Sequence, residues 1–266
     1  MSAETDYVPF GHHVPRPPLS DYVDVLWIYE GYSVPHSQER LMPTGAMELV
    51  ICLDEDDRMG SGLSGVQSSS TILDTSRPFS MIGAHFKPGG SFPFFRMPAG
   101  EFQDLGVSLD MVWGRYASEV REQLLEALTH AARFRILEDA LIQTSRGHFG
   151  RHPAVRYALK EFGNADHSRS VADVTAQIGL SARRFIEVFR NEVGLPPKLY
   201  SRIQRFRKVL GSLHRIQDPD LADIALSCGY FDQAHFNHDF RSFSGMSPST
   251  YLRQRSTYIN HVPVLD

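Results

Sequence analysis

Three side chains in the front part of the chain carry the donor types of a metal site: His36, Glu48 and His85. Protein metal sites draw ligands at short, characteristic intervals. These three are irregularly spaced, without an HxH or HxxxH pair, so no metal is expected. Glu48 is the more telling residue. It stands in the apolar run Met47–Leu53, where a carboxylate taken out of water needs a partner. Arg40 or Lys87 could supply one from within the chain, and an ammonium or hydroxyl of a bound ligand is the alternative. Trp27, Arg40, Glu48 and His85 are the candidate ligand-binding set. The aromatics Trp27, Tyr29, Tyr32, Phe92, Phe94 and Phe95 fit a core or an interface better than a ligand cage. Cys52 and Cys228 read as separate buried thiols, which points to a reducing, cytoplasmic setting. No nucleophile–base arrangement and no phosphate-cradling glycine loop is visible, so the sequence argues for no enzyme and no cofactor.

The elements that would position these residues fall into two unlike parts. A chain of 266 residues has room for two ordinary domains. No apolar run approaches membrane-spanning length, so no membrane partner is expected. The polar, Pro-rich stretch Met1–Ser20 lacks the apolar core of a signal peptide. The net charge of −4 hides an asymmetry. Residues 151–266 hold 16 Lys and Arg against 11 Asp and Glu, a net of +5. Residues 1–150 hold 11 against 20, a net of −9. Opposite signs suggest that one part alone meets a polyanion.

That basic part contains a duplication. Ala172-Asp173 and Gly179 recur 50 residues on as Ala222-Asp223 and Gly229. After the glycine the offset becomes 51: Phe185, Phe189, Arg190, Gly194, Pro197, Tyr200 and Arg202 recur as Phe236, Phe240, Arg241, Gly245, Pro248, Tyr251 and Arg253. One supersecondary unit is used twice. In the first copy Val171, Val174 and Ile178 mark one face of a short helix. Ser170 and Asp173 sit at capping-box positions, and Gly179 can turn into the left-handed region. Ser181 caps a second helix that runs to about Val193, with Phe185, Val188, Phe189 and Glu192 on one face. In the second copy Leu221, Ile224 and Ala225 form the short helix, Gly229 the turn, and Asp232 caps the helix that carries Phe236, Phe240 and Phe243. Ser247-Pro248 opens a last helix. Short helix, glycine turn and second helix make a helix-turn-helix module. A Pro-free stretch from Lys198 to about His214 joins the two copies as a helix of about 17 residues, roughly 25 Å long. Two such modules in the basic part point to double-stranded DNA.

The run from Cys228 to Tyr251, CGYFDQAHFNHDFRSFSGMSPSTY, resembles the signature of the AraC/XylS transcription regulators. The resemblance covers about residues 150–255. It implies that the second helix of each unit enters the major groove. Ala182, Arg183, Ile186 and Glu187 would face bases from the first unit, and Gln233, Ala234, Asn237 and His238 from the second. Arg184, Arg190, Lys198, Arg241 and Arg253 are then candidates for phosphates, which position a protein without reading sequence. The family often carries Arg where His238 stands, and Arg or another polar donor where Glu187 stands.

Ahead of this part the chain reads as α+β. Tyr22–Tyr29, Met47–Leu53 and Ser80–Phe86 have strand composition, and 54–65 reads as a polar loop. Helical spacing begins at Met111 and continues through Phe134–Ile142. A small β-barrel or sandwich with a helical extension is expected over residues 1–146, a linker near Gly147–His152, and the tandem helix-turn-helix domain over 151–257. The runs Arg40–Leu49 and His85–Gly90 look like a front domain often attached to this family. The resemblance implies a sensing or pairing role: a small-molecule effector, or else a homodimer contact or recruitment of RNA polymerase without any ligand. A DNA-repair enzyme with such a tail would need a cysteine cluster near its start, and the front part has only Cys52.

Overall fold

The computed structural model describes residues 10–56, 60–95, 97–147, 149–163 and 170–265. The front part lays down β1 (Phe10–His13), β2 (Val23–Tyr32), β3 (Gln38–Leu41), β4 (Glu48–Cys52), β5 (Gly62–Ser64), β6 (Thr71–Asp74) and β7 (Phe79–Phe86). A single turn of helix, α1 (Phe92–Phe95), precedes β8 (Gly106–Ser108) and the helices α2 (Leu109–Trp113), α3 (Arg115–Glu126) and α4 (His130–Ser145). Six strands form one antiparallel sheet in the order β1-β2-β7-β4-β5-β8. The period of two puts Leu26, Ile28, Leu49 and Ile51 into the core. The stretch read as one polar loop is interrupted by β5, a strand too short to show a period.

Arg146 and Gly147 turn through the left-handed region (φ 50° and 72°), and the chain passes into an all-helical part. It comprises α5 (Pro153–Gly163), α6 (Val171–Ile178), α7 (Ala182–Val193), α8 (Pro197–Arg215), α9 (Leu221–Ser227), α10 (Gln233–Ser244) and α11 (Pro248–Gln254). The repeat seen in the sequence is thus α6–α7 and α9–α10, joined by α8. With 19 residues, α8 is roughly 28 Å long at about 1.5 Å per residue.

The chain then returns to its beginning. A last strand, β9 (His261–Pro263), pairs with β3, and β6-β3-β9 makes a second, three-stranded sheet. Nothing in the sequence signals this pairing across more than 200 residues. One continuous apolar core runs from Leu19 in the front part to Val262 in β9, so the two parts share packing.

Candidate nucleic-acid interface

Each helix-turn-helix unit is fixed by its caps. Ser170 Oγ accepts from the Asp173 N–H at 3.2 Å while the Asp173 carboxylate accepts from the Ser170 N–H at 3.2 Å, closing a capping box on α6. Gly179 ends α6 at φ 73°, and Ser181 Oγ caps α7 by accepting from the Arg184 N–H. In the second unit the Asp220 carboxylate accepts from Ala222 and Asp223, and Asp232 accepts from the His235 N–H at 2.7 Å. Such caps satisfy backbone donors that a helix leaves without partners at its first turn.

The inner faces are aromatic. Phe185 and Phe189 lie 5.6 Å apart, centroid to centroid, and Phe189 meets Tyr200 of α8 at 5.5 Å. In the second unit Phe236 packs on Phe240 at 5.7 Å, and Phe206 of α8 meets Phe240 at 5.2 Å and Phe243 at 5.4 Å. The outer faces stay open. Ala182, Arg183, Arg184, Ile186, Glu187 and Arg190 are exposed on α7; Gln233, Ala234, His238 and Arg241 are exposed on α10, with Asn237 half-buried. Eleven of the thirteen positions named from the sequence for DNA stand on these two helices, joined through α8; Lys198 lies on α8 itself and Arg253 on α11.

Two buried carboxylates lie under these faces. Asp239, with 2% of its side chain exposed, accepts from Arg202 Nη2 at 2.6 Å and Nε at 3.3 Å. That hydrogen bond raises the Arg202 guanidinium further above its ordinary value. Burial instead raises the Glu192 carboxyl, against the hydrogen bond it accepts from the His152 backbone N–H at 3.0 Å and the nearby Arg151 charge.

The front part holds the C-terminal ends of both helices. Arg190 Nη2 donates to the Gly100 carbonyl at 3.2 Å. Gly194, at φ 93°, lets Val66 approach to where a Cβ would meet it at 2.7 Å. The Ser70 N–H donates to the Phe243 carbonyl at 2.7 Å, and Arg40 Nη1 donates to Ser70 Oγ at 3.2 Å beside Gly245.

Three of the four candidate effector residues converge. Trp27 Nε1 donates to Glu48 Oε1 at 2.9 Å, and His85 Nδ1 lies 3.7 Å from the same oxygen. Glu48 stands opposite His85 in the β4–β7 register, and Trp27 opposite Gly83, whose Cβ would fall 2.4 Å from the indole ring. The partners expected for Glu48 are corrected: Arg40 turns to the seam with α10, and Lys87 donates to the Ser20 carbonyl. Glu48 is also not sealed from water, with 37% of its side chain exposed.

The sealed carboxylate is Glu39, which sequence reading did not single out. It is 3% exposed and accepts from Tyr32 Oη at 2.7 Å, with His36 Nε2 and His261 Nδ1 each at 3.0 Å. Burial alone would raise its carboxyl, but the hydrogen bonds from His261, Tyr32 and His36 outweigh it and hold the group below its ordinary range. His36 is thus a partner of Glu39. Among the described residues no cluster of three or more His, Cys, Asp or Glu could hold a metal ion. No helix among them is long and apolar enough to cross a membrane.

A pair of capped helices with open polar faces on aromatic inner sides defines the helix-turn-helix class of nucleic-acid-binding domain. Comparison with known proteins narrows it. Residues 174–254 match the family described as "Helix-turn-helix domain", and residues 11–108 match a domain of unknown function, DUF6597. The runs Arg40–Leu49 and His85–Gly90 both fall inside the latter. YkgA of Escherichia coli (strain K12) is 32% identical over 88 residues, 33% of this chain and 36% of YkgA. The melibiose operon regulatory protein of the same strain is 28% identical over 122 residues, 44% of this chain and 40% of that protein. Matches of this kind span between 33% and 43% of the curated relatives' length. Among solved structures, ToxT from Vibrio cholerae O395 is similar at a TM-score of 0.41 and 11% identity, over 88% of this chain and 94% of that one. The C-terminal part of the chain carries an AraC-type helix-turn-helix domain, shared with relatives named as transcriptional regulators.

Proposed function

We propose that the chain is a sequence-specific transcription regulator that reads two successive major grooves of one duplex with α7 and α10, and that its front domain adjusts this reading in response to a small-molecule effector. The observation that carries the reading is that both recognition faces are exposed on helices packed against the same joining helix, α8. Successive grooves on one face of a duplex lie roughly 34 Å apart. A joining helix of roughly 28 Å is of the same order, and bending of the DNA toward the protein would bring two grooves within reach of one rigid domain.

The side chains suit a divided labour. Arg183 fits guanine, Glu187 accepts from cytosine N4, and Ile186 and Ala182 fit a thymine methyl; Gln233 and Asn237 fit adenine, with Ala234 and His238 beside them. Arg184 and Arg241 are placed for phosphates. Arg190 uses Nη2 for the Gly100 carbonyl, which leaves its other N–H groups for a phosphate. The effector part of the proposal is supported by the grip of the front domain on both recognition helices, since a ligand can shift DNA affinity only through a contact that differs between states.

Selection of bound sites from genomic DNA with the purified full chain tests the reading. A bipartite motif with half-sites about one helical turn apart is expected. Arg183→Ala should weaken the selected site by roughly 1–3 kcal/mol and relax preference at one position. An equal loss on all sequences would remove the base-reading role.

A further inference from the structure

The front domain and the helical part enclose a cleft of about 420 Å³, lined from β2 and β7, the linker, α5 and α8. Five cations line it: Lys87, Arg151, Arg156, Lys160 and Arg207. Asp24 is the one carboxylate among its lining residues. Elsewhere in the molecule some cations find carboxylates, as Arg133 does with Glu30, Arg184 with Glu187 and Arg202 with Asp239, while others, such as Arg190 and Arg255, donate to backbone carbonyls. Among the described residues, two of the cleft cations bond neutral groups. Lys87 donates to the Ser20 carbonyl at 2.7 Å and Arg207 to Gln204 Oε1 at 3.4 Å.

Arg151 makes the imbalance sharper. It lies in the linker itself, and its Nε and Nη2 are buried without a hydrogen-bond partner among the described residues. A buried polar group left in that state needs an explanation, and burial of this guanidinium works against its charge. Glu192 is the carboxylate that acts on it most strongly, and that group is already engaged by the His152 backbone; the guanidinium also lies over the Tyr22 ring, 5.8 Å from its centroid. Concentrating like charges in a concave, partly desolvated space is unfavourable for folding and favourable for drawing in an anion. The volume falls within the usual span of small-molecule sites, roughly 300–1,000 Å³. Apolar side chains, Phe86 and Leu159 among them, complete the wall, so an organic body would be accommodated along with its charges.

We propose that this interdomain cleft binds a small organic anion carrying two or more carboxylate or phosphate groups. The inference rests on the effector-responsive reading given above and assigns it a site and a ligand chemistry. An anion there would bridge Lys87 on the front domain to Arg207 on α8 through the linker residue Arg151. It would thereby tighten the seam that fixes the recognition helices. His85 lines the same cleft and touches Glu48, which places the Trp27–Glu48–His85 row at its margin.

The test uses the full chain and two probes, citrate for carboxylates and inorganic pyrophosphate for phosphates, each against sodium chloride at matched ionic strength. Calorimetric titration should show saturable binding of at least one probe, and which probe binds identifies the favoured group. R156A/K160A and R207A should each weaken it by about tenfold or more, the loss of a charge-assisted contact. R135A, on the outer side of α4, should leave it unchanged. Absence of saturable binding of both probes overturns the site, as does equal binding by R156A/K160A. If neither probe binds wild type and R156A/K160A loses affinity for all duplexes with a shallower salt dependence, the cations are DNA phosphate contacts and the proposal fails. Operator affinity with and without bound probe is the separate readout. A site that binds the probe without changing DNA affinity leaves the anion site standing and removes the effector reading.

Discussion

The two helix-turn-helix units are copies in their turns and aromatic faces and differ in how each is tied down. At the offset of 51, Asp239 stands opposite Val188, and Glu192 opposite Phe243. Each copy has therefore placed one acidic residue in its interior, at a position the other fills with an apolar side chain. Asp239 binds Arg202 of α8, so the second unit is fastened to the helix that joins the copies. Glu192 binds the backbone of His152, and Arg190 the Gly100 carbonyl, so the first unit is fastened to the linker and the front domain. A duplicated cassette has kept its reading geometry and divided its attachments. Both units also meet the front domain at the C-terminal ends of their second helices, but the buried carboxylate of the first reaches out to the linker while that of the second stays within the helical part.

The largest effect expected from breaking this difference is at Asp239. Replacing it with Ala leaves the Arg202 guanidinium, a third exposed, without its partner. Removing one member of a buried pair costs about 3–5 kcal/mol, and the partial exposure of Arg202 puts this case at about 3 kcal/mol. Denaturant unfolding of the full chain measures it. A loss below that of a typical surface substitution would show that α8 does not depend on this pair for its hold on α10.

Next in size is Gly194→Ala. The residue combines φ 93° with a Val66 contact that a new Cβ would meet at 2.7 Å, so the substitution strains both the end of α7 and its seam with the front domain. About 2 kcal/mol is expected. Gly179→Ala, at φ 73° with no atom within 4 Å of the added Cβ, carries the backbone cost alone, about 1 kcal/mol. Equal losses at the two glycines would mean that the seam yields freely.

A third difference is written in pH. Glu192 has its carboxyl raised by burial. A group whose folded value lies above its unfolded one contributes stability below the ordinary carboxylate range and loses it as pH rises through the raised value. Glu192→Gln should remove that decline while keeping an acceptor for His152. Glu39 runs the other way: its lowered carboxyl contributes above the ordinary range, and the contribution is lost as pH falls through the lowered value. Melting temperature against pH for E192Q and E39Q separates the two. A wild-type profile retained in E192Q would show that the linker contact carries no charge cost.

The sequence made the repeat legible because helix caps, glycine turns and a period near 3.6 are local signals. Ser170, Asp173, Gly179, Ser181 and Asp232 were each readable from neighbours within four positions. The front part was less legible. β2, β4 and β7 are long enough to show strand composition, while β5, β8 and β9 have three residues each and cannot display a period. The polar contacts there join distant positions. Glu39 depends on His261, 222 residues away, and Glu48 is met across the sheet by Trp27 and His85, a register that composition does not reveal. Arg40 shares a strand run with Glu48 in sequence, yet β3 belongs to the other sheet, and that separation sends its guanidinium to Ser70 and α10. The five cleft cations are likewise drawn from four separate stretches of chain, so only the fold shows them as a group.

The smallest effect on stability is expected where the two reading faces differ most in charge. Glu187 and Arg184 form an exposed pair at 3.0 Å on α7, with 54% and 60% of their side chains in solvent. Such pairs contribute at most about 1 kcal/mol, so Glu187→Ala should barely move the melting temperature. On DNA the balance changes. The Glu187 carboxylate is repelled by phosphates on every sequence and compensated only where a cytosine N4 can donate to it. Its removal should therefore raise affinity for unrelated duplexes while lowering discrimination at one base pair. His238→Ala, the corresponding change on α10, takes away no negative charge and should leave non-specific affinity near wild type. Binding isotherms on selected and scrambled duplexes at several salt concentrations distinguish the two units. If E187A weakens unrelated duplexes as much as the selected site, α7 is positioned on DNA by some other face, and the two copies of the cassette do not read it alike.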